Sequence, residues 1–238
     1  MAGFWTRQFQ LPGTPAQRRF DLIFGIVAPV LCVLLDPVIF RPFAGGSWFL
    51  RHLRLLAYLE IAISIAALSY YQITNRASSF LAGALAGGAF FAFSLGAAMF
   101  PMTLIGMLFL IGILGLTPFF TSFVYLRNAI RSWRVCEARS SRPVGMVPAI
   151  FGFILILAFP AGVQKAVFHY GDRALNAVQS GSDFPKAVRT LKWLHYDTDE
   201  IAFTYQKTND AAKRERLARA FVAITGETVQ ERLMQLND

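Results

Sequence analysis

Uncharged apolar runs alternate with short arginine-bearing stretches along the first two thirds of the chain, and amphipathic segments replace them in the last third. Residues 1–19 are polar, contain Pro12, Gly13 and Pro15, and read as a loose N-terminus. The first apolar run covers 20–40 and is interrupted by Asp36. It is too long for a signal-peptide core and lacks a small-residue cleavage site, so it is expected to be retained. The second run, 55–72, contains Glu60. Residues 77–126 carry no charge at all. As one helix that stretch would be about 75 Å long, against a hydrocarbon core of roughly 30 Å, so it must turn back. Pro101 is the expected turn, because proline ends one helix and suits the start of the next. Spans are therefore expected near 79–100 and 102–126. A fifth run, 144–164, lies between Arg142 and Lys165.

From Lys165 the pattern changes to short amphipathic helices. Phe184, Ala187, Val188, Leu191 and Leu194 follow helical spacing after Asp183, which stands where an N-cap would. Asp197 with Glu200, and Thr228 with Glu231, have capping-box spacing. Residues 211–224 form a further helix, with Gly226 as its C-cap. No fixed repeat is present, and a tail of this length would hold barely two helical-hairpin repeats. The expected fold is all-α: a polytopic transmembrane helix bundle of about five spans, residues 1–163, with a small C-terminal helical extramembrane domain, residues 164–238.

Composition agrees with this pattern. Hydrophobic residues make up 55% of the 238, the mean hydropathy is +0.46, and only 16% are charged. That is too apolar for an ordinary soluble domain. The net charge of +9 raises the alternative of nucleic-acid binding, and its distribution decides against it. Before Lys165 twelve arginines face four acids, a net +8; from Lys165 onward eleven basic residues face ten acids, a net +1. The excess flanks apolar runs, where positive charge sets topology. The nearly neutral tail offers no basic face for nucleic acid. Cys32 falls in an apolar run and Cys136 in a basic stretch, a poor pairing for a structural disulfide.

Arginine also sets an orientation. Residues 127–142 hold Arg127, Arg131, Arg134, Arg139 and Arg142 against Glu137, and read as a cytoplasmic loop. The N-terminus then lies in the cytoplasm and the C-terminal domain outside, with nine arginines inside. Arg41, Arg51 and Arg54 fall outside, against the rule. Ala-, Gly- and Arg-rich composition points to a bacterial inner membrane.

Those outer arginines adjoin the one candidate site. Asp36 and Glu60 are expected at similar depth near the outer face, and an ionised acid in hydrocarbon must be paired or face a cavity. Gly25, Pro29, Cys32 and Asp36 share one helical face; Glu60, Ser64, Ala67 and Tyr71 share another; Gly115, Pro118, Ser122 and Tyr125 a third. Small and polar stripes of this kind let helices approach closely. The structural reading pairs Asp36 and Glu60 with Arg41, Arg51 or Arg54. The functional reading makes them a polar pocket for a proton, an ion or a headgroup. Gly83 and Gly87 form a GxxxG expected to serve packing within the bundle, and Pro118 is expected to kink the fourth helix.

Reaction motifs are absent. The three histidines, His52, His169 and His195, stand in no metal-binding motif, and no HExxH, GxSxG, Walker or dinucleotide motif occurs. The sequence implies no metal, no cofactor and no catalytic residue. Its expected partners are the lipid bilayer and a protein. The leading expectation is a multi-pass membrane protein that anchors or assembles a partner through its C-terminal helices. The alternatives are a small transporter or channel subunit using the intramembrane acids, and an intramembrane enzyme acting on lipid.

Overall fold

The computed structural model describes residues 14–35, 48–107, 115–139, 145–194 and 196–237, and all of its regular structure among them is helical. Among the described residues three helices are long and apolar enough to cross a membrane, within Leu55–Thr74, Ser79–Pro101 and Met146–Ser180. The chain divides into two compact units, Met1–Ala161 and Gly162–Asp238.

The first unit opens on α1 (Pro15–Leu22), a π-helical turn (Ile23–Val27) and α2 (Ala28–Leu35). The expectation of a loose N-terminus up to residue 19 is corrected at Thr14. Its hydroxyl accepts from the Gln17 amide while the Gln17 side chain accepts from the Thr14 amide, a capping box closed by Pro15 at the first helical position. The π-turn follows from Pro29. Ala28 N–H bonds back to Ile23 O, which leaves Phe24 O without its usual donor. Pro29 has no N–H to offer Gly25 O. Both carbonyls are taken by side chains of a distant helix, Thr121 Oγ1 donating to Phe24 O at 2.7 Å and Tyr125 OH to Gly25 O at 2.9 Å.

Helix α3 (Trp48–Thr74) buries one narrow stripe, Glu60, Ser64, Leu68 and Tyr71, at helical spacing. Only 17% of its apolar window is buried, so most of its apolar surface faces outward. Helix α4 (Ser79–Met107) continues unbroken through Pro101. The expected turn there, and a fourth span beginning at 102, are corrected. Proline removes one backbone bond, and α5 (Thr117–Arg139) packs antiparallel along α4 and holds its course. Ser122 Oγ bonds Ala89 O, Gly96 meets Phe119, and Gly115 meets Thr103. The reversal falls after Met107, partly outside the described residues. Pro118 lies in the first turn of α5 and not at an internal kink.

Helix α6 (Met146–Ser180) is longer than the uncharged run that it contains. It continues through Lys165 and stops at Ser180, where Gly181 takes φ +79°. Its early part packs on α4 through glycines. A Cβ on Gly83 would strike the Ala149 carbonyl, one on Gly152 the Phe80 carbonyl, and one on Gly87 the Ile156 side chain. The GxxxG pair thus lies in an intramolecular contact.

The second unit adds α7 (Phe184–Trp193), α8 (Thr198–Lys207), α9 (Ala211–Thr225) and α10 (Val229–Asn237) to the last turns of α6. Its core includes Leu175, Val178, Leu191, Ile201, Leu217 and Phe221. Thr228 and Glu231 form the reciprocal capping box, and Gly226 closes α9 at φ +81°. Asp183 sits at the N-cap position of α7 with φ +46° and makes no side-chain cap bond. Asp197 accepts from the Asp199 amide, two residues on, which is not the bond that a capping box with Glu200 requires.

Candidate functional site

Two polar clusters are built into the first unit. The sequence singles out one of them and misses the other.

Glu60 is the acid the sequence reading selects, and it is 1% exposed. Its Oε1 has no hydrogen-bond partner among the described residues, and neither does the Oγ of Ser64 one turn on. Both residues border a cavity of about 60 Å³ between α2, α3, α4 and α5, whose accessible lining is almost wholly apolar. Pro29 and Cys32 come from α2; Thr117, Thr121 and Tyr125 come from α5; Phe91, Ala92 and Leu95 of α4 make an apolar wall. Gly88 makes room beside Ser64, since a Cβ there would lie 2.5 Å from its hydroxyl oxygen. Asp36 and Arg41 lie outside the described residues. Arg51 and Arg54 lie on α3, with only their backbone described. Of the five site residues expected from sequence, the side chain of Glu60 alone can be placed.

The second cluster centres on Asp21, 1% exposed. Arg127 donates to its Oδ1, Gln72 Nε2 to Oδ2 at 3.3 Å, and Arg131 Nη1 stands 3.6 Å from Oδ2. Arg131 also donates to Gln17 Oε1 at 2.7 Å, and Gln72 to Asn128 Oδ1 at 3.2 Å. The Arg127 guanidinium lies over the rings of Phe20 and Phe123, at 5.4 and 5.3 Å. One carboxylate thus joins α1, α3 and α5. The expectation of a cytoplasmic loop beginning at Arg127 is corrected. Residues to Arg139 are helical, and Arg127 and Arg131 are buried. A signal for this cluster was present. Asp21, Gln72 and Arg127 all fall on the same side of the membrane in the expected topology, the argument applied to Asp36 and Glu60.

In the second unit, Tyr196 OH donates to Asp172 at 2.6 Å, with its ring against Gly171. Burial, then the Asp172 carboxylate, push the Tyr196 phenol well above its ordinary range. Arg232 donates to Asp199 at 2.8 Å, and Arg216 donates to Gln179 O near the C-terminus of α6 at 2.6 and 3.0 Å. Tyr196 and Phe221 belong to the core and Tyr205 packs on it, while Trp193 and Phe203 stay on the surface, 78% and 38% exposed.

Among the described residues no group of three His, Cys, Asp or Glu is placed to hold a metal ion. Fold and sites define a class, an all-helical protein that has, among its described residues, three membrane-compatible helices and two buried polar clusters in its first unit. Comparison with protein-family models, with curated proteins and with solved structures finds no match to this chain.

Proposed function

We propose that this chain is a multi-pass membrane protein that anchors or assembles a protein partner through its C-terminal helices. In this reading it crosses the membrane five times, with its N-terminus in the cytoplasm and residues 164–238 outside, in a bacterial inner membrane. The observation that carries the reading is the make-up of the second unit. It has a core of its own, so it needs no further element to bury its apolar face, yet it keeps Trp193 and Met234 on its surface, 78% and 63% exposed. Tryptophan is among the residues that contribute most to protein interfaces. The unit is also almost neutral, which suits protein contact better than nucleic acid.

The test is recovery of partners by crosslinking in the host, followed by detergent extraction. Full-length protein should bring down a reproducible partner. Chain ending at Lys165 should still insert and lose that partner, and Trp193→Ala should weaken its recovery. Equal recovery with the truncated chain would overturn the proposal.

A further inference from the structure

We infer that one end of the second unit docks on anionic phospholipid headgroups of the membrane, with Trp193 and Tyr170 seated among them and Lys165, Arg189 and Lys192 facing their phosphates. The inference goes beyond the assembly proposal and takes from it only that α6 crosses the bilayer. From Met146 to Gln164 that helix is about 30 Å long, the thickness of the hydrocarbon core. Lys165 is the first charge after it. Gly171 lies about 10 Å beyond Gln164 along the helix, and the headgroup layer of each leaflet is roughly 5–8 Å thick. Long side chains near Gly171 therefore reach that layer. Helix α7 returns the chain to this level. Ala187 and Leu191 share a core with Leu175 and Val178. Just past the end of α7, the Tyr196 ring packs on Gly171 and its hydroxyl donates to Asp172. Trp193 ends α7 and is exposed, as is Tyr170 next to Gly171.

The charges at this end have the matching sign. The unit is nearly neutral as a whole, but α7 carries Lys186, Arg189 and Lys192 and no acid. Its apolar face is taken up by the unit's own core, so these three cations and Trp193 form its exposed face. Lys165 and Arg173 add two exposed cations on α6. Of the acids nearby, Asp172 accepts from the Tyr196 hydroxyl and Asp197 from the Asp199 amide. Tryptophan and tyrosine favour the headgroup level, where an apolar ring and a polar edge are both satisfied. Each lysine or arginine beside an anionic membrane surface strengthens binding about fivefold. Cations and aromatic rings gathered at one level, on a unit tethered to the bilayer by α6, fit a lipid surface. An acidic protein has no reason to meet the unit at the depth of the headgroups.

The test uses purified full-length protein in lipid nanodiscs with no partner present, so its outcome is separate from that of partner recovery. Phosphatidylcholine discs, with and without phosphatidylglycerol, carry a trace of lipid bearing a nitroxide on its headgroup, which quenches tryptophan on contact. The Trp193 share of the emission is the difference between wild type and Trp193→Phe, which keeps an aromatic ring. That share should be quenched, more strongly in the phosphatidylglycerol discs, and recover in high salt, which screens exposed charges. Arg189→Gln with Lys192→Gln should weaken docking about 25-fold, two cations at about fivefold each, and restore the emission. All three positions are exposed, so the variants should keep the wild-type melting midpoint. Absence of quenching, or quenching equal in both lipids and in the charge variant, would overturn the inference. In that event, loss of partner recovery with Trp193→Ala would assign this face to the protein partner instead.

Discussion

Asp21 shows how much one residue can hold in this protein. It meets Arg127 and Arg131 from α5, both buried, and the half-buried Gln72 from α3. Removing one member of a buried pair strands its partner, at a cost of about 3–5 kcal/mol. Asp21→Asn should therefore lower the thermal midpoint in detergent markedly. Asp21→Asn with Arg127→Met should cost less than the two single changes added together, because Arg131 keeps Gln17 when Asp21 is gone. Strict additivity in that double-mutant cycle would show that the pair is not coupled. At this scale the sequence placed Glu60 inside the bundle but treated Arg127 and Arg131 as solvated loop charges. Charge patterning counts residues; it does not show whether a carboxylate waits on another helix.

At the scale of elements, backbone contact decides more than hydropathy. Helices α4 and α6 meet where Gly83 faces Ala149 and Gly152 faces Phe80, each against a backbone carbonyl that cannot turn aside. Gly83→Leu or Gly152→Leu should separate the helices and lower the detergent melting midpoint, with each change costing at least the roughly 1–3 kcal/mol typical of overpacking. Gly162→Leu is the control, since a Cβ there meets nothing within 4 Å. Equal destabilisation by all three would argue against the packing. The same preference for contact explains Pro101. A lone proline in a run of apolar residues reads as a break, but its missing bond is local, whereas α5 supports α4 along much of its length.

At the scale of the whole molecule, the proposed orientation rests on the arginine pattern, and the burial of Arg127 and Arg131 beside Asp21 takes two of the nine inner arginines out of that argument without reversing it. Reporter fusions ending at Arg142 should report the cytoplasm, and fusions ending at Gln164 the outside. A cytoplasmic signal from the second set would reject the proposed orientation.

The sequence by itself determined the helical class, the membrane-compatible lengths in α3, α4 and α6, the stop at Gly226 and the start at Thr228. These depend on local spacing, on hydropathy summed over a helix and on backbone bonds within one turn, all of which are written in consecutive residues. Tertiary structure decided the rest. It carried α4 past Pro101 and placed Arg127 and Arg131 against Asp21. It also brought hydroxyls from α5 to the two carbonyls left open beside Pro29. In each case the deciding partner lies about a hundred residues away or on another helix, and its effect exists only once the helices have packed.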